Sequence, residues 1–461
     1  MRARGQVLTA LLVVLVVTIA AVYLQREVGP RAPAPGPSGV APSGAWFCPH
    51  GGGPEWTVLL EVANPGSESV RIRVTGLSSD KSPHSTAFTV EPGTELLIPA
   101  KARGRGASSA IEYFGGWVAA GWVAHAGGGE KGVAAEPCLP EAGQRWYLPD
   151  GTTREHQDAY VVVMNPFAAD ANFTLSLFTD RGSVITTDDW TNVVLRPGRS
   201  EAFRLNATAL GYGTVSALVD AKVGRVAAAS LGISSLGGIR SSDGFLGEPP
   251  TRIILPGGFD QGRTDLVVMD PGEAKATLEG TLFGSDEPQP LAGLTQVTTA
   301  GSSAQTYPIS TAGPSALDIS SSTGVVIARR TYGTVADQAS TSGARAPAPA
   351  WVILPSVAGP PAHPGLVLAN PGDVLAEITL SYLPSSEARP SPAPITVQVP
   401  PGRTIAPPSA FVEAKPFSAI LAVATSGTFV PAATSYSLGQ DGFATYAVSL
   451  GVAIPDAWVP S

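Results

Sequence analysis

Residue types that carry chemistry are sparse in this chain, and their spacing decides most cases. Five histidines occur, His50, His84, His125, His156 and His363, and no pair has the His-x-His or His-x-x-x-His spacing of a metal motif. His156 lies in TREHQDAY beside Glu155 and Asp158. That trio could hold a metal, but a single local trio of this exposed type is usually a solvated loop. A serine hydrolase needs Gly-x-Ser-x-Gly, whereas GISSLGG from Gly232 has the wrong spacing. Asp188 and Asp189 are adjacent, and adjacent carboxylates on a strand point to opposite faces, so they form no acid/base pair. Gly51, Gly52 and Gly53 precede a strand pattern rather than a helix, so they make no phosphate cradle. A D-x-D-x-D-G calcium loop is missing. The expectation is a protein that is not an enzyme, with no catalytic residue, cofactor or metal.

Three other features bear on function. Cys48 and Cys138 are the two cysteines of the chain, and an even pair outside the cytoplasm is expected to form one disulfide. Asn172 and Asn206 open Asn-x-Thr sequons, which read as chance occurrences. Trp117 and Trp122 sit in the glycine-rich EYFGGWVAAGWVAHAGGG. Aromatic platforms bind sugars on β-sandwich surfaces, so these two are the candidates to face a ligand. The plainer reading places them in a core.

The elements that would position such residues recur at a long period. An Asn-Pro or Asp-Pro marker follows an apolar run at Asn64, Asn165, Asp270 and Asn370, spaced by 101, 105 and 100 residues. Eight residues after each marker stand Ile72, Phe173, Leu278 and Ile378, each flanked by polar residues. This period-two alternation predicts a half-buried strand. The marker predicts the turn before it, because an Asx side chain can bond a backbone N–H two residues on. Opening strands read WFCP at Trp46, WYLP at Trp146, IILP at Ile253 and WVILP at Trp351. Pro-Gly turns follow at Pro92, Pro197 and Pro401.

About seven short strands per hundred residues is the scale of an immunoglobulin-like sandwich, whereas propeller blades are about half as long. The predicted fold is all-β, with an N-terminal transmembrane helix followed by four tandem immunoglobulin-like β-sandwich repeats. The expected boundaries are 1–26 for a cytoplasmic tip and transmembrane signal-anchor and 27–45 for a Pro-rich spacer. The repeats then span 46–145, 146–250, 251–350 and 351–461. Two larger double-repeat domains, or exchange of strands between neighbouring repeats, are the alternatives.

The anchor rests on the uncharged run Val7–Leu24, preceded by Arg2 and Arg4. It holds enough residues to cross a bilayer, and the leading charges predict the amino terminus inside. Bulky Tyr23 and Leu24 at its exit disfavour a cleaved signal peptide. The bulk of the chain is therefore expected outside the membrane, attached through this helix. A net charge of −8, with only 14% charged residues, excludes a nucleic-acid partner, which needs clustered cations.

An N-terminal anchor, a Pro-rich spacer and recurring W-x-x-P, apolar-Asn-Pro and Pro-Gly motifs resemble an uncharacterised actinobacterial envelope-protein family (domain of unknown function, family 5719). The bias of 23 Arg to 6 Lys fits such a source. The resemblance implies a cell-envelope location and supplies no catalytic residues. The resulting expectation is a membrane-anchored extracytoplasmic scaffold or accessory protein, with an envelope protein or wall polysaccharide as partner. A cell-wall carbohydrate-binding protein and an enzyme of unrecognised type are the alternatives.

Overall fold

The alternation around each marker becomes paired antiparallel strands. The computed structural model describes residues 43–257, 263–311, 313–332, 338–356, 363–385, 391–415, 418–438 and 444–459. The expected transmembrane segment and residues 27–42 of the expected spacer lie outside the described residues. Among the described residues no helix is long and apolar enough to cross a membrane.

Residues 44–137 set the pattern. The strands are β1 (Gly44–Cys48), β2 (Trp56–Asn64), β3 (Val70–Leu77), β4 (His84–Val90), β5 (Thr94–Ala100), β6 (Ser108–Phe114), β7 (Ala119–Ala126) and β8 (Gly132–Pro137). One sheet has the order β1-β6-β3-β4 and the other β5-β2-β7-β8. In β3, Val70 and Ile72 are buried while Arg71 is exposed, as the alternation requires. Ile72 and Ile111 from the first sheet join Leu60, Val62 and Trp122 from the second in one apolar cluster. Eight strands are found rather than seven. The addition is β8, which pairs along the edge of β7.

This order recurs along the chain. Residues 145–246 build one sheet around Ala171–Thr179 and Val215–Val223, and a second in the order Arg199–Arg204, Gln157–Asn165, Ala227–Ser234, Ile239–Asp243. Residues 252–341 and 350–453 each add another two sheets, one of which ends at its edge on Gln338–Thr341 and Ala444–Leu450 respectively. Ile72, Phe173, Leu278 and Ile378 are all fully buried, with 0–1% of their surface exposed, so the strand register read from the sequence holds in all four stretches. After the last strand of its second sheet, each stretch crosses back to the edge of its own first strand. Leu139 bridges Phe47, Phe245–Leu246 pairs with Arg145–Leu148, Ala344 bridges Ile254, and Val452–Ala453 pairs with Ala350–Ile353.

The four stretches also touch one another in a closed cycle. β8 lies against Ile239–Asp243, which lies against Gln338–Thr341, which lies against Ala444–Leu450, which returns to β8. The residues there are mostly small. Ala134, Ala135, Ser241, Ser242, Ala339, Ser340 and Ala447 are all buried, which lets four edge strands approach closely. A second contact recurs further out. The Ser200 N–H donates to the Ser78 carbonyl (3.4 Å), Thr404 N–H to Gly284 (2.8 Å), and Glu95 N–H to Pro384 (3.2 Å). The last of these joins the first stretch to the fourth. The apolar cluster of the first stretch accordingly includes Val162 and Ile233 from the second and Leu354 and Val452 from the fourth. All described residues belong to one compact unit.

Candidate functional site

The residues singled out by repetition hold the strands together. Each Asn marker is buried and uses every polar atom of its amide. Asn64 Oδ1 accepts from Gly66 N–H (3.0 Å), while its Nδ2 donates to the carbonyls of Glu68 (2.8 Å) and Val90 (3.1 Å). Asn165 does the same with Phe167, Ala169 and Leu195, and Asn370 with Gly372, Val374 and Val399. Asp270 cannot donate in this way. Its Oδ1 accepts from Gly272 N–H (3.1 Å), and its Oδ2 accepts from Ala276 N–H (3.2 Å) and the Thr299 hydroxyl (2.5 Å). Thr299 occupies the position of Val90, Leu195 and Val399. The change from amide to carboxylate is thus matched by a new donor opposite it.

The opening tryptophans have an equally local role. Trp46, Trp146 and Trp351 donate their indole N–H to the carbonyls of Val118 (2.8 Å), Val226 (2.7 Å) and Phe429 (2.9 Å). This fastens the first strand to the residue that leads into a central strand of the other sheet. Cys48 and Cys138 form the expected disulfide, which pins the end of β1 to the residue after β8.

Other expectations need correction. Trp117 and Trp122 do not face a ligand: they are 6% and 1% exposed. Trp117 packs edge-on against Trp46, and Trp122 meets the ring of His50. Asp188 and Asp189 lie in a 3-10 turn, Asp188–Trp190, rather than on a strand, and both are exposed. The histidine trio is not assembled. Asp158 pairs with Arg204 (2.8 Å), and His156 bonds Ser235 (3.1 Å) with Glu155 at 3.6 Å. Asn206 is occupied by backbone bonds to Ala159 (2.9 Å) and Gln157 (2.7 Å). The serines of GISSLGG sit at the hairpin before Ile239.

His50, two residues after β1, is buried within the first stretch. Its Nδ1 is 2.7 Å from the Gly51 carbonyl, which can only accept, so Nδ1 carries the proton. Nε2 then accepts from the Ser109 hydroxyl (3.0 Å). Burial lowers its pKa to about 4, leaving a neutral imidazole. Among the described residues no group of three or more His, Cys, Asp or Glu is placed to hold a metal ion. A small cleft in the fourth stretch is lined by Ile353, Leu366, Val412, Lys415 and Ser418, and it holds none of the residues above.

The charged groups with the most altered surroundings lie at the seams between stretches. Asp150 of the second stretch is 5% exposed and accepts from Arg240 Nε (3.1 Å) and Arg330 Nε (2.9 Å), the latter from the third stretch. Burial opposes its charge, but the two guanidiniums outweigh that and hold the carboxyl well below its usual range. Arg240 also reaches Gln338 (2.9 Å). The seam between the first two stretches is different. Glu136 on β8 and Asp243 at the end of Ile239–Asp243 are neighbouring carboxyls, and each has one buried oxygen with no hydrogen-bond partner. Burial raises both, Asp243 to about 8, and mutual repulsion adds to the rise at Glu136. On the first stretch's other seam, Glu61 and Glu95 are both buried on one face of adjacent strands. Burial and then Glu95 raise Glu61, and burial raises Glu95 to about 8. Glu95 Oε2 accepts from Ala419 N–H across the seam (2.9 Å).

Motif spacing gave no sign of these groups. One trace existed: Glu61 stands where the other stretches have Val162, Val267 and Val367. Chemically, Asp150 is neutralised by its partners and offers no free base. Glu136 and Asp243 can hold and release a proton across a seam.

Comparison with family models finds a match over residues 107–350, more than half of the chain, to a family described as "Family of unknown function (DUF5719)". No curated protein matches. Among solved structures, a Thermotoga maritima protein described as "Thermotoga maritima 1070" is 20% identical, covering 22% of this chain and 96% of its own at a TM-score of 0.20. A tetra-tandem repeat in the extending region of a large adhesion protein is 12% identical, covering 85% of this chain and 93% of its own at a TM-score of 0.11. The chain belongs to the DUF5719 family.

Proposed function

We propose that this member of the DUF5719 family is a membrane-anchored, extracytoplasmic, non-catalytic scaffold or accessory protein of the bacterial cell envelope. Its exported part is four immunoglobulin-like sandwich repeats closed into a ring. The observation that carries this reading is the filled axis. Four edge strands meet where a ring-shaped enzyme or channel would keep a cavity, and their small buried side chains occupy the space. The conspicuous recurring residues, Asn64, Asn165, Asn370 and the opening tryptophans, are engaged in fastening strands. Anchoring rests on Val7–Leu24, and the Cys48–Cys138 disulfide suits an oxidising compartment. A rigid body with its faces turned outward serves to hold partners. The test is crosslinking in intact cells followed by purification of the full chain from the membrane fraction. Reproducible envelope partners are expected. Recovery from the soluble cytoplasmic fraction with reduced cysteines would overturn the reading.

A further inference from the structure

We propose that closure of the ring is linked to a proton: Glu136 and Asp243 share one across the seam between the first and second stretches, and the seam loosens when that proton leaves. The geometry sets the case. β8 and Ile239–Asp243 are edge strands in contact, and each brings one carboxyl to their junction. Glu136 is 2% exposed, and Glu136 Oε1 and Asp243 Oδ1 are buried without a partner. Two carboxylates in such a place repel unless one is protonated, in which case its O–H can donate to the other.

Among the described residues, the surrounding elements place no ion-pair partner on either carboxyl. On the strand of Asp243 the charged residue is Arg240, and it is turned to Asp150, Gln157 and Gln338. Opposite Glu136 on β7 stands Trp122, whose buried indole N–H has no hydrogen-bond partner among the described residues and carries no charge, backed by neutral His50. The third stretch contributes Ser342, whose hydroxyl donates to the Asp243 carbonyl (2.5 Å), and Arg330, held by Asp150. The fourth stretch brings Tyr446 and Ser449, on the strand lying against β8. Among the described residues no ion pair forms with Glu136 or Asp243. At the first stretch's other seam a second acid pair, Glu61 and Glu95, lies on adjacent strands of the first stretch alone. There β7 supplies Gly121, and the fourth stretch supplies Leu354 and the Ala419 N–H.

The sign follows from linkage. A carboxyl raised in the folded state binds its proton more tightly there than in the unfolded chain. Its contribution is full below the ordinary carboxyl range and is lost as pH rises toward the folded value, about 8 for Asp243. The first stretch is therefore the part of the ring that alkaline conditions release.

The experiment uses the full chain in detergent. Denaturation midpoints and limited proteolysis are followed from about pH 5 to about pH 9, the window in which such a pair titrates. The wild type is expected to lose stability steadily as pH rises, with cleavage appearing first in the first stretch. The Glu136→Gln/Asp243→Asn protein is expected to lose a large part of that slope. An unchanged slope would overturn the proposal. Should the double variant fold poorly, infrared spectroscopy of the wild type and of Glu136→Gln decides the matter. A protonated-carboxyl band at neutral pH that weakens in Glu136→Gln supports the proposal, and a band that is absent, or is unaffected by the substitution, overturns it.

Discussion

The seams on either side of the second stretch use the same edge strands and opposite electrostatics. Toward the third stretch, Asp150 sits between Arg240 and Arg330, and charge is matched by charge. Toward the first, Glu136 meets Asp243 with no cation between them. On the proposal above, strand contacts close the ring, and the buried charges set the conditions in which each joint holds. A buried ion cluster gains little over an apolar replacement but is costly to break from one side. A buried acid pair costs little while protonated and becomes unfavourable when ionised.

The largest effect is expected from breaking the matched seam. Asp150→Ala leaves two guanidiniums buried without their carboxylate and should destabilise by ~3–5 kcal/mol, read as a lower denaturant midpoint at neutral pH. The comparison sharpens if Arg240→Met and Arg330→Met are added, since the apolar triple variant should recover most of the loss. Failure of that recovery would mean that packing, not charge, holds this seam.

A smaller effect separates the seams by pH. The lowered pKa of Asp150 gives a contribution present above the ordinary carboxyl range and lost as pH falls through it into strong acid. Glu136 and Asp243 work in the other direction, losing their contribution toward about pH 8. Hydrogen exchange by mass spectrometry should therefore show the second–third seam opening first in acid and the first–second seam opening first in mild alkali. The same order of opening at both extremes would break the comparison.

The smallest effect concerns the markers inside each stretch. Asp270→Asn alone loses an acceptor for Thr299 and Ala276, and Thr299→Val alone leaves the carboxylate short of a donor. Each should cost ~1–2 kcal/mol. Together they restore the pattern of the other three stretches, so a double-mutant cycle should show a favourable coupling of about 0.5–3 kcal/mol. Strict additivity would mean that Thr299 is not the compensating donor.

Much of the fold was legible because it is local. Period-two alternation at Ile72 and Phe173 located core strands, and Asn-Pro located turns. The family was recognisable from the same short motifs. The second half of each Asn marker's work, donating to Val90, Leu195 or Val399, depends on a segment 26–30 residues away and leaves no mark near the marker itself. Trp117 and Trp122 were ambiguous because a glycine-rich hairpin suits both an exposed platform and an inward ring. The cycle of contacts was hidden for a related reason. It is carried by alanines and serines, whose burial no periodicity distinguishes, and by single groups such as Glu136 and Asp150 whose partners lie in another stretch.

Closure of the first stretch onto the fourth is the claim on which the rest depends. Glu95 and Ser385 are bridge partners on neighbouring chain segments. Such partners lie about 5 Å apart, within the Cα separation a disulfide tolerates. The full chain carrying Glu95→Cys and Ser385→Cys, its own cysteines already joined, should oxidise within a single molecule and migrate faster on a non-reducing gel until reductant is added. Persistence of two free thiols, or crosslinking only between molecules, would contradict the ring.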